Sequence, residues 1–345
     1  MINKYIFSLA LDNIGKVQRP DVNYKRCINR AQSKHDCKIC RESCPGGAIS
    51  QNNKKQIEID HELCKRCYLC SGICPTQCIS HNSAFIKSND TGESTLVIGC
   101  SQSSSELIKA KVPCIASLPW EFYAYFSYKT PIAMISGNCE DCAVNAQIHI
   151  EAMKERLKLF WGKEYEHKVL DNVEDLAAGI SRREFFGLLT KKIRDAKKSM
   201  DASAVEDVSD NSKNQISIFR KLLLRELDEK KAHGWLTLDL NKSCWGCKIC
   251  ERLCPGKALE VTKLDERWGL SHDVSCCTGC KICKTVCPEQ AIQELVEHHV
   301  RSKNHVVFNS IKAKSCEVCG QSIKQTADDI CNLCKSKARR KKAAG

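Results

Sequence analysis

Cysteine spacing constrains this chain more than any other feature of its sequence. The chain has 345 residues, of which 26 are cysteines, and most of these form C-x2-C pairs. Pairs of this kind are typical of metal ligands, whereas disulfide cysteines are spaced less regularly. Because metal-bound thiolates persist in reducing compartments, the pattern also predicts a cytoplasmic protein.

One cysteine motif occurs four times in the chain. Three copies are complete: CKRCYLCSGICPTQCI from Cys64, CWGCKICERLCPGKAL from Cys244 and CTGCKICKTVCPEQAI from Cys277. The fourth copy, HDCKICRESCPGGAI, lacks the first cysteine, because Lys34 occupies that position. The run C-x2-C-x2-C-x3-C-P supplies thiolate ligands to iron–sulfur clusters. Since the copies lie in two pairs, the sequence predicts two modules with two [4Fe–4S] clusters each.

These paired motifs resemble the bacterial-type 2[4Fe–4S] ferredoxin domains of polyferredoxin-like proteins. In that family the Cys-Pro cysteine of each copy ligates the other cluster. For the second module the resemblance implies one cluster on Cys244, Cys247, Cys250 and Cys287 and another on Cys277, Cys280, Cys283 and Cys254. For the first module it implies one cluster on Cys64, Cys67, Cys70 and Cys44.

The last cluster needs a fourth ligand besides Cys37, Cys40 and Cys74. Cys27 is the only upstream cysteine, and the spacer to Cys37 is long enough for the chain to loop back. His35 and Asp36 are alternatives, because imidazole and carboxylate groups also bind iron. A three-iron cluster without a fourth ligand is a further alternative. We expect Cys27 to be the ligand, because thiolates are the usual cluster ligands.

Two cysteines near the motifs lie outside the ligand pattern. Cys78 occupies the small-residue position that is alanine in the other copies (Ala48, Ala258 and Ala291). Because a buried free cysteine behaves as a small hydrophobic residue, we interpret Cys78 as a core residue. Cys276 is out of register with the motif, and we interpret it as a spare cysteine.

The segment between the modules has a different character. Short apolar runs that alternate with helix-forming stretches over residues 94–160 predict a small parallel α/β domain. Its cysteines are Cys100, Cys114, Cys139 and Cys142, and the first and third end apolar runs, where open α/β sheets bind ligands. This spacing is similar to that in the delta subunit of methyl-viologen-reducing hydrogenases, which implies a [2Fe–2S] cluster. Alternatively, Cys114 is a core residue and only Cys139 and Cys142 are functional. The aromatic stretch from Trp120 to Tyr128, between Cys114 and Cys139, is interpreted as the buried core face of a helix.

The C-terminal region contains four further cysteines. Two C-x2-C pairs, Cys316 with Cys319 and Cys331 with Cys334, are typical of a zinc ribbon, and a single iron is the chemical alternative. The basic run KSKARRKK that follows is interpreted as a solvated tail, with nucleic-acid contact retained as a hypothesis.

The predicted fold class is α+β, with two ferredoxin-like modules flanking a parallel α/β domain and a linker. The predicted regions are a first module (1–84), an α/β domain (85–165), a helical and flexible linker (166–234), a second module (235–297) and a zinc ribbon with basic tail (298–345). Within the linker, Ser181 and Glu184 form a capping box that predicts a helix start. No apolar stretch is long enough to predict a membrane span.

This organisation predicts an electron-transfer protein. We find no nucleotide-binding motif and no catalytic constellation in the sequence, so the substrate site is expected on a partner oxidoreductase or dehydrogenase subunit. A net charge of +13 favours an acidic partner. One alternative is an oxidoreductase subunit with a catalytic thiol or metal site in the α/β segment. Another is a redox-sensing regulator that binds nucleic acid.

Overall fold

The computed structural model describes residues 20–31, 36–80, 95–170, 217–228, 231–264, 267–301 and 305–343. These residues belong to two compact units. Of the described residues, the first unit contains those within 20–27, 38–170 and 217–227, and the second contains those within 28–37 and 228–343. The helix predicted to start at Ser181 lies outside the described residues.

Four short strands surround the first pair of motif copies. They are β1 (Asp21–Val22), β2 (Ile49–Gln51), β3 (Ile57–Ile59) and β4 (Ile79–Ser80). β1 pairs with β4 and β2 with β3, in both cases antiparallel. One-turn helices α1 (Ile39–Glu42) and α2 (Leu69–Gly72) carry the third motif cysteine of each copy. The isoleucines of these strands pack against cysteine side chains, so this core forms around the ligand positions.

A four-stranded parallel sheet follows in the first unit. Its strands are β5 (Leu96–Cys100), β6 (Ala110–Val112), β7 (Ile132–Ile135) and β8 (Val169–Leu170), in the order β6-β5-β7-β8. All the pairs are parallel, which confirms the predicted parallel sheet. The strand β8 lies beyond residue 165, at which the predicted domain ends, because its apolar run is too short to be distinguished in the sequence.

Helices cover this sheet and bury the aromatic stretch. They are α3 (Trp120–Lys129), α4 (Gln147–Trp161) and α5 (Tyr165–Lys168), with 3-10 turns at Ile115–Ser117 and Gly162–Glu164. Tyr123 is fully buried, and its hydroxyl donates a hydrogen bond of 2.6 Å to the Ile115 carbonyl. The Trp161 indole N–H donates to the Ser127 hydroxyl at 3.0 Å. The aromatic residues therefore form core, as predicted, with their polar atoms hydrogen-bonded.

A further helix, α6 (Ile218–Glu226), packs against α3 in the same unit. Ser217 caps it, because the Ser217 hydroxyl accepts a hydrogen bond from the Arg220 N–H at 3.1 Å. The Arg220 guanidinium bonds to the Glu121 carboxylate at 2.8 Å, and both side chains are almost fully buried. A buried ion pair therefore joins segments that are far apart in the chain.

The second unit is built on two antiparallel sheets and a hairpin. The strands are β9 (Ala232–Leu240), β10 (Leu259–Leu264), β11 (Arg267–Asp273), β12 (Ile292–Arg301), β13 (His305–Ile311), β14 (Ala313–Ser315) and β15 (Ser322–Lys324). β9 pairs with β12, β10-β11-β13 form one sheet, and β14 pairs with β15. Its helices are α7 (Ile249–Leu253), α8 (Ile282–Val286) and α9 (Asn332–Ala343). Among the described helices of both units, none is long and apolar enough to cross a membrane.

Candidate metal centres

All four motif copies share one backbone arrangement at the Cys-Pro cysteine. The residue three positions later is left-handed in every copy, with φ of 60° at Gly47, 47° at Gln77, 54° at Lys257 and 47° at Gln290. The next residue then turns its backbone N–H toward the cysteine sulfur, at 3.3 Å in three copies and 3.4 Å in the copy with Cys74. This amide partner satisfies the sulfur and orients it in the same way in each copy.

A second left-handed residue separates the complete copies from the incomplete one. The residue after the second motif cysteine has φ of 55° at Tyr68, 63° at Lys248 and 57° at Lys281. In the incomplete copy the corresponding residue, Lys38, has φ of −111°. The loop that lacks its first cysteine therefore takes a different path from the other three.

Four predicted ligands of the first module line one cavity. Cys44, Cys64, Cys67 and Cys70 line this cavity, together with Pro45 and Ile59. Burial raises the pKa of Cys70, and the nearby sulfurs, Cys67 first, raise it further. Thiols whose anions are desolvated and repel one another gain from bound cations, so the donor set fits an iron–sulfur cluster.

The remaining ligands of the first module lie in a buried cluster of cysteines. Cys27, Cys40, Cys74 and Cys78 belong to one core with the isoleucines of β2, β3 and β4. The Cys78 and Cys74 sulfurs are 3.5 Å apart, and a hydrogen bond from Cys78 lowers the pKa of Cys74 to about 5. The Cys78 thiol also has a hydrogen bond with Cys27, and both bonds raise its own pKa. Sequence comparison identified Cys78 only as a packing residue and missed these contacts.

Asn29 fixes the chain that follows Cys27. Its side-chain amide donates to the Cys37 carbonyl at 3.0 Å, and its side-chain oxygen accepts from the Cys37 N–H at 2.9 Å. Asn29 is almost fully buried. The two hydrogen bonds close the loop between the predicted ligand Cys27 and the motif, a role that residue type and spacing alone do not reveal. Of the alternative ligands, Asp36 is exposed and His35 lies outside the described residues.

The second module brings together the first of its predicted ligand sets. Burial, followed by the neighbouring Cys247, Cys244 and Cys287 sulfurs, raises the pKa of Cys250 to about 12. The Cys287 sulfur accepts the backbone N–H of Ala291. These four cysteines are therefore close enough to act on one another electrostatically.

The second predicted set of this module is arranged in the same way. Burial raises the pKa of Cys283, with Cys277, Cys280 and Cys254 as the next causes. Burial and Cys254 also raise the pKa of Cys280 to about 11. Cys276 is buried and packs beside Cys254 and Cys277.

The α/β domain places all four of its cysteines around one cavity. Cys100, Cys114, Cys139 and Cys142 line this cavity at the carboxyl ends of β5 and β7. The Cys100 sulfur accepts the backbone N–H of Gly137 at 3.1 Å. Burial raises the pKa of Cys114 to about 12, and the next sulfurs that act on it are Cys139, Cys67 and Cys100. Cys114 therefore lines the pocket together with the other three cysteines, and the donor set fits a four-thiolate [2Fe–2S] cluster.

The C-terminal cysteines form the tightest cluster of the described residues. The sulfurs of Cys316, Cys319, Cys331 and Cys334 all lie within 4.8 Å of one another. The Cys331 N–H donates to the Cys316 sulfur at 3.2 Å, and this contact is the main cause that lowers the pKa of Cys316 to about 6. Four sulfurs at this separation suit one tetrahedral metal ion, either zinc or iron.

Comparison with protein families matches the second module and the complete motif copy of the first module. A family model described as a 4Fe-4S dicluster domain matches residues 243–291, and one described as a 4Fe-4S binding domain matches residues 57–80. The chain contains two ferredoxin-type 4Fe–4S domains. The resemblance expected from the motif copies is thereby confirmed, and electron transfer by iron–sulfur centres is the function that these domains support.

Relatives of the ferredoxin-type domains occur in oxidoreductases. The chain is 31% identical over 62 residues to the pyruvate synthase subunit PorD of Methanocaldococcus jannaschii, a match that covers 18% of this chain and 64% of the relative. It is 34% identical over 64 residues to PorD of Thermotoga maritima, covering 19% and 58%. A dihydromethanopterin reductase (acceptor) of Methanosarcina mazei is 44% identical over 54 residues, covering 15% and 22%. The chain thus spans less than two thirds of each of these relatives.

Proposed function

We propose that this protein is a multi-cluster electron carrier with four [4Fe–4S] clusters and one [2Fe–2S] cluster. The observation that carries the proposal is the repeated Cys-Pro geometry, in which each of four copies presents a sulfur to a backbone N–H. When bound, iron–sulfur clusters supply one-electron chemistry at potentials from roughly −700 to +450 mV. The ligand sets are those that the ferredoxin resemblance implies, with each Cys-Pro cysteine serving the neighbouring cluster.

Cys27 is the proposed fourth ligand of the incomplete copy. Its support is the buried cluster that it forms with Cys40 and Cys74, and the pair of hydrogen bonds by which Asn29 closes the following loop. Lys38 differs in backbone conformation from its counterparts, which agrees with a ligand that arrives from another direction.

The cysteine pocket of the α/β domain is proposed as a fifth redox centre that exchanges electrons with the first module. Helix α2, which carries Cys70, packs against the turn Ile115–Ser117 that follows Cys114. At Gly72 the approach is so close that an added Cβ would lie 2.0 Å from the Ala116 carbonyl oxygen. Direct backbone contact between the two ligand-bearing segments keeps the distance for electron transfer short.

The proposed partner is an oxidoreductase that holds the substrate site. The PorD relatives are named as subunits of pyruvate synthase, and the positive charge of +13 would attract an acidic partner. The C-terminal cysteines are proposed to bind one zinc ion. Contacts of the adjoining hairpin β14–β15 support a structural role for this site. The Ser322 hydroxyl donates to the Gly246 carbonyl at 2.5 Å, and Lys324 forms an ion pair with Glu289 at 2.6 Å, so the hairpin is joined to the second module.

Anaerobic iron, sulfide and zinc analysis with EPR spectroscopy of the reduced full-length protein tests this function. The proposal predicts roughly 16 irons in the four cubane clusters and about two more in the α/β pocket. One zinc per chain is expected in addition. A fully reconstituted protein with fewer than about eight irons would refute the carrier.

Variants of the middle pocket separate the fifth centre from the others. Cys139→Ser should remove the [2Fe–2S] signal and about two irons, whereas the matched change Cys276→Ser at a buried non-ligand position should remove neither. An unchanged iron content and EPR spectrum in the Cys139→Ser protein would refute the fifth centre. The proposed electron carrier would then contain only the ferredoxin-type clusters.

A further inference from the structure

The incomplete copy and an extra thiol occur at the same cluster. Cys74 is the Cys-Pro ligand that the ferredoxin resemblance assigns to the cluster on Cys37 and Cys40. Cys78 lies four residues after Cys74, and its own N–H donates to the Cys74 sulfur at 3.4 Å. The additional thiol is therefore held beside the one cluster whose motif lacks a cysteine.

Packing alone does not require a sulfur at this position. In the other copies the corresponding residues are Ala48, Ala258 and Ala291, all of which are almost fully buried. A methyl group thus fills the site wherever the neighbouring motif is complete. Cys78 differs from alanine by one sulfur atom, and it occurs in the copy that is paired with the incomplete motif.

The sulfur of Cys78 also points toward ligands rather than away from them. It lies 3.5 Å from the Cys74 sulfur, and its thiol has a hydrogen bond with Cys27. Cys27, Cys40, Cys74 and Cys78 share one buried core, and Cys78 itself is only 2% exposed. Cys27 and Cys78 are thus the two further sulfurs that this core places with Cys40 and Cys74.

We propose that Cys27 and Cys78 are interchangeable ligands for the fourth iron of this cluster. This proposal rests on the proposed cluster at Cys37, Cys40 and Cys74. In the exchange, the iron–sulfur bond to one cysteine forms as the bond to the other breaks. The proton released by the incoming thiol passes along their hydrogen bond to the departing thiolate, so no oxidant or reductant is needed. Both sulfurs remain in a buried site, which keeps water from replacing either ligand.

Single and double variants of the full-length protein test the exchange. Cys78→Ala carries the residue that the other three copies have, so it should fold, and Cys27→Ala removes the second sulfur. We expect each single variant to keep the parent EPR spectrum and iron content. The double variant should lose one iron and show an oxidised three-iron signal at about one spin per chain. Cys276→Ala, at a buried cysteine of the second module, is the matched control and should behave as the parent does.

Each other outcome overturns the proposal in a different way. A three-iron signal in Cys27→Ala alone makes Cys27 the sole ligand and leaves the proposed electron carrier intact. The same signal in Cys78→Ala alone makes Cys78 the sole ligand and removes Cys27 from the proposed function. A double variant that retains the fourth iron excludes both cysteines and identifies His35 or Asp36 as the ligand. Loss of all iron from this cluster in either single variant would show that neither cysteine can replace the other.

Discussion

Substitution of Gly72 by alanine tests the contact between the first module and the α/β pocket. An alanine Cβ would lie 2.0 Å from the Ala116 carbonyl oxygen, 2.7 Å from the Ser117 carbonyl carbon and 2.8 Å from the Leu118 nitrogen. All three are backbone atoms, so no side-chain rotation can relieve the overlap. Helix α2 and the turn Ile115–Ser117 must move apart, by about 1 Å, to restore a normal contact.

The expected cost follows from the nature of the overlap. Insertion of one methyl group into a packed core costs about 1–3 kcal/mol, and fixed backbone neighbours favour the upper end of this range. A loss of about 3 kcal/mol corresponds to roughly hundredfold faster hydrogen exchange in segments that open locally. Exchange measured by mass spectrometry on peptides that cover α2 and Ile115–Ser117 would detect this change directly.

The neighbouring position provides the control. Ser71→Ala changes a partly buried residue of the same helix without adding an atom, so exchange should stay close to that of the parent. The magnetic interaction between the proposed centres on either side of the contact should also weaken in the Gly72→Ala protein, because that interaction falls steeply with distance. Exchange rates and EPR spectra identical to the parent would show that the two segments do not touch as described.

Three further predictions concern the buried ion pair and the C-terminal site. Arg220→Met should lower the free energy of unfolding by about 3–5 kcal/mol in denaturant titrations, because Glu121 would be left buried without its ion-pair partner. The added change Glu121→Gln should recover part of that loss. A cost below about 1 kcal/mol would contradict burial of the pair. Cys331→Ser should remove the C-terminal metal in elemental analysis while the [4Fe–4S] signals persist, and loss of those signals would contradict an independent site. In the metal-free protein the Cys334 thiol donates hydrogen bonds to the Cys331 and Cys319 sulfurs, which raises the pKa of Cys334 to about 12, so zinc must displace its proton at pH 7. Zinc affinity in chelator competition should therefore rise at least about tenfold per pH unit above pH 7. Below the pKa of Cys316, which is about 6, the affinity should fall more steeply as the pH is lowered, because a second proton must then be displaced. An affinity that does not depend on pH would refute this protonation state.

Sequence spacing predicted the ferredoxin-type 4Fe–4S domains because cluster geometry limits how cysteines can be arranged. Three closely spaced cysteines and a Cys-Pro ligand can be recognised in any fold, and so can a pair of C-x2-C knuckles. The parallel sheet could also be predicted, since Leu96–Cys100 and Ile132–Ile135 are clear apolar runs between helix-forming stretches.

Contacts between distant segments could not be predicted in this way. Glu121 and Arg220 are separated by 99 positions, and neither lies in a motif. The hydrogen bonds of Asn29 depend on where a loop closes, which composition does not encode. The alanines at the equivalent positions of the other copies correctly indicate that Cys78 is buried. They do not indicate its contact with the Cys74 sulfur, because alanine has no sulfur with which to make it.

The repeated amide contact has a consequence for the reduction potentials of the clusters. Each Cys-Pro sulfur accepts one N–H from the residue four positions later, so this contact would act in the same way on all four proposed clusters. Cys74 alone has a hydroxyl two positions later, and the Thr76 oxygen lies 3.5 Å from its sulfur, where the other copies have Gly46, Gly256 and Glu289. Hydrogen bonds to cluster sulfurs stabilise the reduced, more negative state. Electrons that enter the first module are therefore expected to collect at the proposed cluster that Cys74 would serve.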